Sequence, residues 1–309
     1  MKIVFLDTKT LGEDISLDKF DSLGEVVKYE TTNPHETLTR VQDCDVVVTN
    51  KVVISKEIME KSNFKLICVT ATGTNNIDLQ SAKQANIEVK NVMDYSTTSV
   101  CQITFTLVLE LISKISYYKD YVDSLKWSKS GLFTHIDKPF FELKNKKWGI
   151  IGLGNIGKEV AKIAKSFGCE VNYYSTSGKN YNTDYNSISL EQLLKESDII
   201  SIHAPLNNTT NNLLNKSNLN LLKDDSILVN VGRGGIINEK DLAEKIDSNK
   251  SLYCGLDVVK KEPIEISNPL LKIKNKNRLI LTPHIAWASI EARNTLINKV
   301  FDNIKSFVL

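Results

Sequence analysis

Lys147-Trp148-Gly149-Ile150-Ile151-Gly152-Leu153-Gly154-Asn155-Ile156-Gly157-Lys158 decides the fold. A short apolar run ends in Gly-x-Gly-x-x-Gly, and Lys158-Glu159-Val160-Ala161-Lys162-Ile163-Ala164-Lys165 continues at helical spacing. The pattern reads as strand, tight turn and helix. Gly152 permits the turn, Gly154 lets a pyrophosphate approach the backbone, and Gly157 lets the helix sit close on the strand. The helix start offers unpaired N–H groups and the positive end of its dipole to an anion. A glycine pattern alone also fits an ordinary α/β turn. Here a second strand, Glu170-Val171-Asn172-Tyr173-Tyr174, completes a βαβ frame, and the frame points to a dinucleotide.

Upstream, residues 1–95 alternate strands and helices without a glycine fingerprint of their own. Strands are expected at Ile3–Leu6, Val26–Glu30, Asp45–Thr49, Leu66–Thr70 and Glu88–Asn91. Helices are expected at Leu17–Leu23, with Ser16 as N-cap, at Ser55–Ser62 and at Leu79–Ala85. Ser99–Tyr121 reads as one long helix carrying the chain into a second domain. The polar stretch 126–146 reads as a surface loop pinned by Trp127, Phe133, Phe140 and Phe141. After the glycine turn, strands are expected near residues 198–202, 226–231, 253–258 and 279–282, with helices at Leu190–Glu196 and Glu239–Ser248. The last helix, Ser289–Val308, has no strand beside it in sequence and is expected to return to the first domain. The fold class is therefore α/β, with two doubly wound parallel sheets. A flavodoxin-like substrate domain (1–98 and 286–309) carries an inserted dinucleotide-binding domain (99–285).

The 309 residues leave room for two such domains, and 41% hydrophobic and 25% charged residues are ordinary for a soluble globular chain. A net charge of +2 gives no footprint for nucleic acid or a membrane surface. The five cysteines form no close pairs, which points to buried thiols in a reducing compartment and away from a metal site. The chain opens on a strand with no signal peptide, so a cytoplasmic location is expected.

Chemistry-bearing residues cluster just after strands, where open α/β sheets place ligands. Arg233 follows one strand inside Gly232-Arg233-Gly234-Gly235, Glu262 follows the next, and His284 follows the last, in Thr282-Pro283-His284. Hydride exchange at an alcohol carbon needs a proton donor or acceptor beside the oxygen, and imidazole suits that near neutral pH. A neighbouring carboxylate favours the protonated ring. A guanidinium grips a carboxylate through two N–H groups. Singly, each residue is more often a loop or surface residue. In this order, behind a dinucleotide fingerprint, they form a set for 2-hydroxy acid oxidoreduction.

Over essentially its full length the chain resembles the D-isomer-specific 2-hydroxyacid dehydrogenases. The matching pieces are Gly152-Leu-Gly-Asn-Ile-Gly157, His203-Ala-Pro205, Asn230-Val-Gly-Arg-Gly-Gly235, Leu256-Asp257-Val258 through Glu262-Pro263, and Thr282-Pro-His284. The resemblance implies His284 as general acid/base, Glu262 as its carboxylate partner and Arg233 as the substrate-binding arginine. It places substrate between the two domains, with Thr72, Gly73 and Thr74 supplying backbone N–H groups to its carboxylate. Lys51 is a weaker substrate candidate whose alternative is a surface lysine. His284-Ile285-Ala286-Trp287-Ala288-Ser289 and Tyr95-Ser96-Thr97-Thr98-Ser99-Val100 resemble the glycerate dehydrogenase (hydroxypyruvate reductase) branch. That implies hydroxypyruvate and D-glycerate, with glyoxylate as a second substrate; D-lactate-type or phosphoglycerate-type activity is the alternative. Trp287 would wall the pocket, or else serve as a core aromatic at a helix start. A dinucleotide-sensing binding protein of the same fold is the reading from another class. A homodimer through the dinucleotide domain is also implied.

For the cofactor, the resemblance implies Asn155 and Ile156 at the pyrophosphate, and Ala204, Pro205 and Thr210 on the adenosine side. Val231, Gly232 and Asp257 fall at the nicotinamide end, with Asp257 holding the carboxamide, and Thr104 is a further contact. Structural roles compete at Thr104 and Thr210. The acid that usually receives the ribose hydroxyls of NAD is missing. Its position is Ser175, followed by Thr176, Ser177 and Lys179. Hydroxyls and a lysine can take a 2′-phosphate, but the usual arginine for NADP is also absent, so NAD and NADP both stay open.

Overall fold

A computed structural model describes residues 1–179, 182–248 and 251–308. The chain divides into two compact units, Met1–Ser96 with Ala288–Leu309, and Thr97–Trp287. Thr97, Thr98, Ala286 and Trp287, expected in the substrate domain, fall with the second unit.

In the first unit β1 (Lys2–Phe5), β2 (Glu25–Lys28), β3 (Val46–Thr49), β4 (Leu66–Val69) and β5 (Glu88–Lys90) form a parallel sheet in the order β2-β1-β3-β4-β5. β3 and β4 are buried along their whole length, as near-continuous apolar runs in a covered parallel sheet should be. The helices are α1 (Thr37–Val41), α2 (Lys56–Glu60) and α3 (Leu79–Gln84). Ser55 caps α2 at the Ile58 N–H, and Asp78 caps α3 at the Ser81 N–H. The expected helix at Leu17–Leu23 is a short 3-10 turn, Asp18–Ser22, and Ser16 Oγ accepts from the Asp18 N–H at 3.2 Å at its start.

The second unit holds α4 (Thr97–Ser113), α5 (Ile115–Asp123), α6 (Lys126–Lys129), β6 (Lys147–Ile151), α7 (Asn155–Ser166), β7 (Glu170–Tyr174) and β8 (Asn186–Ser187). It continues with α8 (Leu190–Glu196), β9 (Ile199–Ile202), α9 (Lys216–Leu219), β10 (Ser226–Asn230), α10 (Glu239–Ile246), β11 (Leu252–Leu256) and β12 (Leu279–Leu281). The strands form a parallel sheet in the order β12-β11-β10-β9-β6-β7-β8, so the order reverses between β6 and β9. α4 and α7 cover one face through Val108, Trp148, Val160, Tyr173 and Ile199. Ile151, Leu193, Ile200, Leu228 and Leu242 form the core on the other face.

The single helix expected at Ser99–Tyr121 is two helices bent by 59°, α4 and α5. They part at Lys114, which stands in the left-handed region at φ 53°. The Glu110 carboxylate accepts from the Ser116 N–H at 3.0 Å and so starts α5, while Lys114 Nζ donates to Pro139 O at 3.0 Å. Of the four rings expected to pin the loop that follows, Phe141 packs against the core and Trp127 Nε1 donates to Leu132 O at 3.1 Å, whereas Phe133 is 90% exposed and Phe140 is 63% exposed. His135 holds it as well, stacked on Tyr121 at 3.7 Å between centroids and hydrogen-bonded to the Tyr117 hydroxyl at 2.8 Å. No single helix among the described residues is long and apolar enough to cross a membrane.

The terminal helix α11 (Ile290–Val308) packs in the first unit. Phe301 meets Phe20 edge-on at 5.6 Å, and Arg293 donates to Asp14 Oδ2 at 2.8 Å and to Leu11 O at 2.7 Å. All five cysteines are buried and unpaired. Burial pushes the thiols of Cys44, Cys68 and Cys101 up to about 12 and that of Cys169 up to about 11, and raises Cys254 as well.

Candidate active site

The glycine turn is built as its three glycines require. Gly152 has φ +93°, and a Cβ there would lie 2.9 Å from the Ala204 backbone. A Cβ on Gly157 would lie 2.3 Å from Gly152 O, so α7 touches the turn directly. Gly154 faces open space and is the extended N-cap of α7, with no side chain closing the helix end. Asn155 and Ile156 form the first turn behind it. Two buried polar atoms nearby have no partner among the described residues, Ser175 Oγ at the end of β7 and His203 Nδ1 at the end of β9. An open cradle at a helix start that no side chain caps, and orphaned polar atoms at the strand ends, fit a bound dinucleotide.

Ala204 is buried and Pro205 is exposed, at the end of β9. Thr210, expected on the adenosine side, is fully buried. Its hydroxyl donates to Pro205 O at 2.6 Å and accepts from the Asn207 N–H at 2.9 Å, so it staples the loop and has no open face for a ligand. Thr104 is likewise closed, its hydroxyl donating to Val100 O within α4 at 2.8 Å. Both expectations are corrected to structural roles. Thr176 is half-buried, Ser177 and Lys179 are exposed, and Ser177 Oγ accepts from the Lys179 N–H.

Arg233, Glu262 and His284 follow β10, β11 and β12, which are adjacent in the sheet. Val231 and Gly232 lead from β10 into the arginine turn. Asn230 clamps this turn, receiving the Gly232 N–H on Oδ1 at 3.0 Å and donating from Nδ2 to Arg233 O at 2.9 Å. The guanidinium donates to Gly232 O at 2.8 Å, and no carboxylate pairs with it among the described residues. Gly234 docks the turn on the next loop: a Cβ there would fall 2.0 Å from the Val259 carbonyl group and 2.5 Å from Lys260 N. Only glycine lets these two backbones meet, and the second leads to Glu262.

His284 Nδ1 lies 2.6 Å from Glu262 Oε2, and both side chains are mostly but not fully shielded. His284 stands at φ +55°, a conformation seldom adopted by residues other than glycine and asparagine. Asp257 imposes it. Its carbonyl accepts from the His284 N–H at 2.9 Å. Its Oδ1 accepts from Thr282 Oγ1 at 2.6 Å and the Ile285 N–H at 2.9 Å, and its Oδ2 from the Ala286 N–H at 2.8 Å. Burial raises the Asp257 carboxyl above the usual range, while the Thr282 hydroxyl and the two backbone donors oppose that rise. Beside the contact with the nicotinamide carboxamide that the sequence implies, Asp257 has a structural role of its own. Only 1% exposed, with both oxygens occupied, it anchors the loop that presents His284. Trp287 is half-buried in a turn three residues beyond His284, ahead of α11 and not at its start.

The remaining substrate candidates lie in the first unit. Lys51 follows β3, is exposed, and donates its N–H to Asp7 Oδ2 at 2.7 Å. In the loop after β4, Thr72 donates to Val92 O at 3.0 Å, and Thr74 O accepts from the Ile77 N–H at 3.0 Å. The Asn230 clamp, the Gly234 docking point and the Asp257 anchor escaped the sequence reading. The one available signal was a Gly-Arg-Gly-Gly run with more glycine than a single turn needs.

Comparison with known proteins agrees with this geometry. The family model described as "D-isomer specific 2-hydroxyacid dehydrogenase, NAD binding domain" matches residues 105–286. The chain is 38% identical to a hydroxypyruvate reductase of Blautia hydrogenotrophica, over 100% of this chain and 97% of that one. It is 34% identical to a glycerate dehydrogenase of Methylorubrum extorquens, over 99% of this chain and 96% of that one. Among solved structures, an acyclic imino acid reductase in complex with NADPH and D-Arg superposes with a TM-score of 0.86 at 30% identity, covering 100% of this chain and 97% of that one.

Proposed function

The chain belongs to the D-isomer-specific 2-hydroxyacid dehydrogenase family, an NAD-binding oxidoreductase family, and from that premise we propose that it reduces hydroxypyruvate to D-glycerate, with glyoxylate as a second substrate. The observation that carries the reading is the 2.6 Å His284–Glu262 contact, one strand over from the Arg233 turn. When bound, the nicotinamide supplies a hydride to the carbonyl carbon. Because Nδ1 is held by Glu262, Nε2 is the atom that hands a proton to the carbonyl oxygen. Glu262 stabilises the ring while it carries both protons. Arg233 receives the substrate carboxylate and fixes the carbonyl relative to His284. The Thr72-Gly73-Thr74 backbone and Trp287 are further substrate contacts in this proposal, with Lys51 as a weaker one.

The hydroxypyruvate assignment is supported by the names of the two relatives and by Trp287, whose bulk favours a small substrate. Initial rates with hydroxypyruvate, glyoxylate, pyruvate and 2-oxoglutarate test it. Hydroxypyruvate is expected to give the highest kcat/KM. A preference for pyruvate would move the enzyme to the D-lactate type, and turnover of none would favour dinucleotide sensing. For the cofactor, Ser175 in place of an acid removes repulsion of a 2′-phosphate without adding a cation. NADPH is expected to work within an order of magnitude of NADH, and a strict NADH requirement would refute this. The solved relative that holds NADPH supports testing both. A homodimer through the second unit and a cytoplasmic location complete the proposal. The first rests on the exposed apolar side chains after α6, the second on five unpaired thiols.

A further inference from the structure

His203 belongs to a motif that the reaction leaves unused. It follows β9, and its N–H donates to Ile151 O at 2.9 Å, one residue before Gly152. This is the point between β6 and β9 where the strand order reverses, and a dinucleotide crosses a doubly wound sheet at that point. Residues 199, 201 and 203 alternate onto the face covered by α4 and α7, and there the side chains form a chain. Trp148 Nε1 lies 2.9 Å from Ser201 Oγ, and Ser201 Oγ lies 3.0 Å from His203 Nε2.

One arrangement of the protons in this chain gives the Ser201 hydroxyl proton an acceptor. Indole Nε1 can only donate, so Ser201 Oγ accepts from it. The one Ser201 proton has no other acceptor among the described residues, so it goes to His203 Nε2. The imidazole proton is then on Nδ1, which is buried and without a partner. Burial holds the ring neutral, with its pKa pushed down to about 3. The result is a neutral donor, shielded from bulk water, at the crossing point of an anion. An orphaned buried donor is costly unless something completes it. We propose that His203 is a cofactor-binding residue whose Nδ1–H donates to the bound dinucleotide at its pyrophosphate crossing, in an orientation fixed by Trp148 and Ser201.

The test titrates NADH by fluorescence, without substrate, into the full chain and three variants. The Nδ2 of Asn can stand where Nδ1 stands, whereas a Gln amide reaches the place of Nε2. His203→Phe and His203→Gln are expected to weaken NADH binding about tenfold, and His203→Asn to stay within about threefold of the parent. Melting temperatures without NADH are expected to be alike for the Asn and Gln variants, which separates a ligand contact from a packing effect. Equal affinities in all four proteins, or affinities that merely follow the melting temperatures, would overturn the proposal. Nitrogen-15 shifts of the His203 ring in the unliganded protein provide a second readout. A proton on Nδ1 supports the proposal, and a proton on Nε2 ends it. A parent chain that binds no NADH would instead overturn dinucleotide binding itself.

Discussion

At the scale of single residues, the His284–Glu262 pair was legible because proton transfer beside a ketone restricts the choice of side chain. His284→Ala is expected to lower kcat at least about a thousandfold, with NADH affinity little changed; near-normal turnover would remove His284 from the mechanism. The anchoring role of Asp257 was not legible, because sequence shows that an acid is present but not how deeply it is buried or what surrounds it. With both oxygens fixed on the 282–286 loop, its removal acts through His284. Asp257→Asn sets an NH2 against a backbone N–H in that loop. It is expected to lower kcat about tenfold or more while NADH still binds, and unchanged turnover would remove the anchor from the mechanism. His203 predicts a pH effect on stability. Its pKa is near 6.5 when unfolded and about 3 when folded. Between those values the unfolded chain binds more protons, so stability present above pH 6.5 is lost as pH falls toward 3. His203→Asn should flatten the melting-temperature profile between pH 7 and pH 4, and an unchanged slope would exclude this residue as the cause.

At the scale of elements, the glycine turn separates packing from binding. Gly157→Ala drives a methyl group into Gly152 O at 2.3 Å. It is expected to lower the melting temperature, consistent with a packing cost of about 1–3 kcal/mol. Gly154→Ala enters open space. It should leave the melting temperature nearly unchanged and weaken NADH about tenfold or more, which calorimetry and titration together can check. Strands and this turn were legible because apolar periodicity and glycine spacing are local signals. The break at Lys114 was not. It depends on Glu110 reaching Ser116 and on Lys114 reaching Pro139, and the latter contact spans 25 residues. The apolar pattern runs through the bend, so periodicity alone extends one helix across both.

At the scale of the whole molecule, the alternation of strands and helices foretold two parallel sheets, one inserted in the other, because each βαβ step admits few arrangements. Which rings would be exposed was beyond its reach, since burial is set by the assembled fold. Leu132, Phe133, Ile136 and Phe140 are all more than 60% exposed. Light scattering on the native protein should therefore give twice the 34.7 kDa chain mass, and Leu132→Asp with Phe133→Asp should shift it toward the monomer. A parent protein at monomer mass would refute the dimer. The sealed cysteines bear on how that exposed stretch can be followed. Thiols held in the core as neutral S–H groups are poor nucleophiles, so the native chain should stay silent toward maleimide dyes. One cysteine grafted at position 133 then becomes a selective handle, and a fluorophore attached there can report association without first stripping the chain of its natural sulfhydryls.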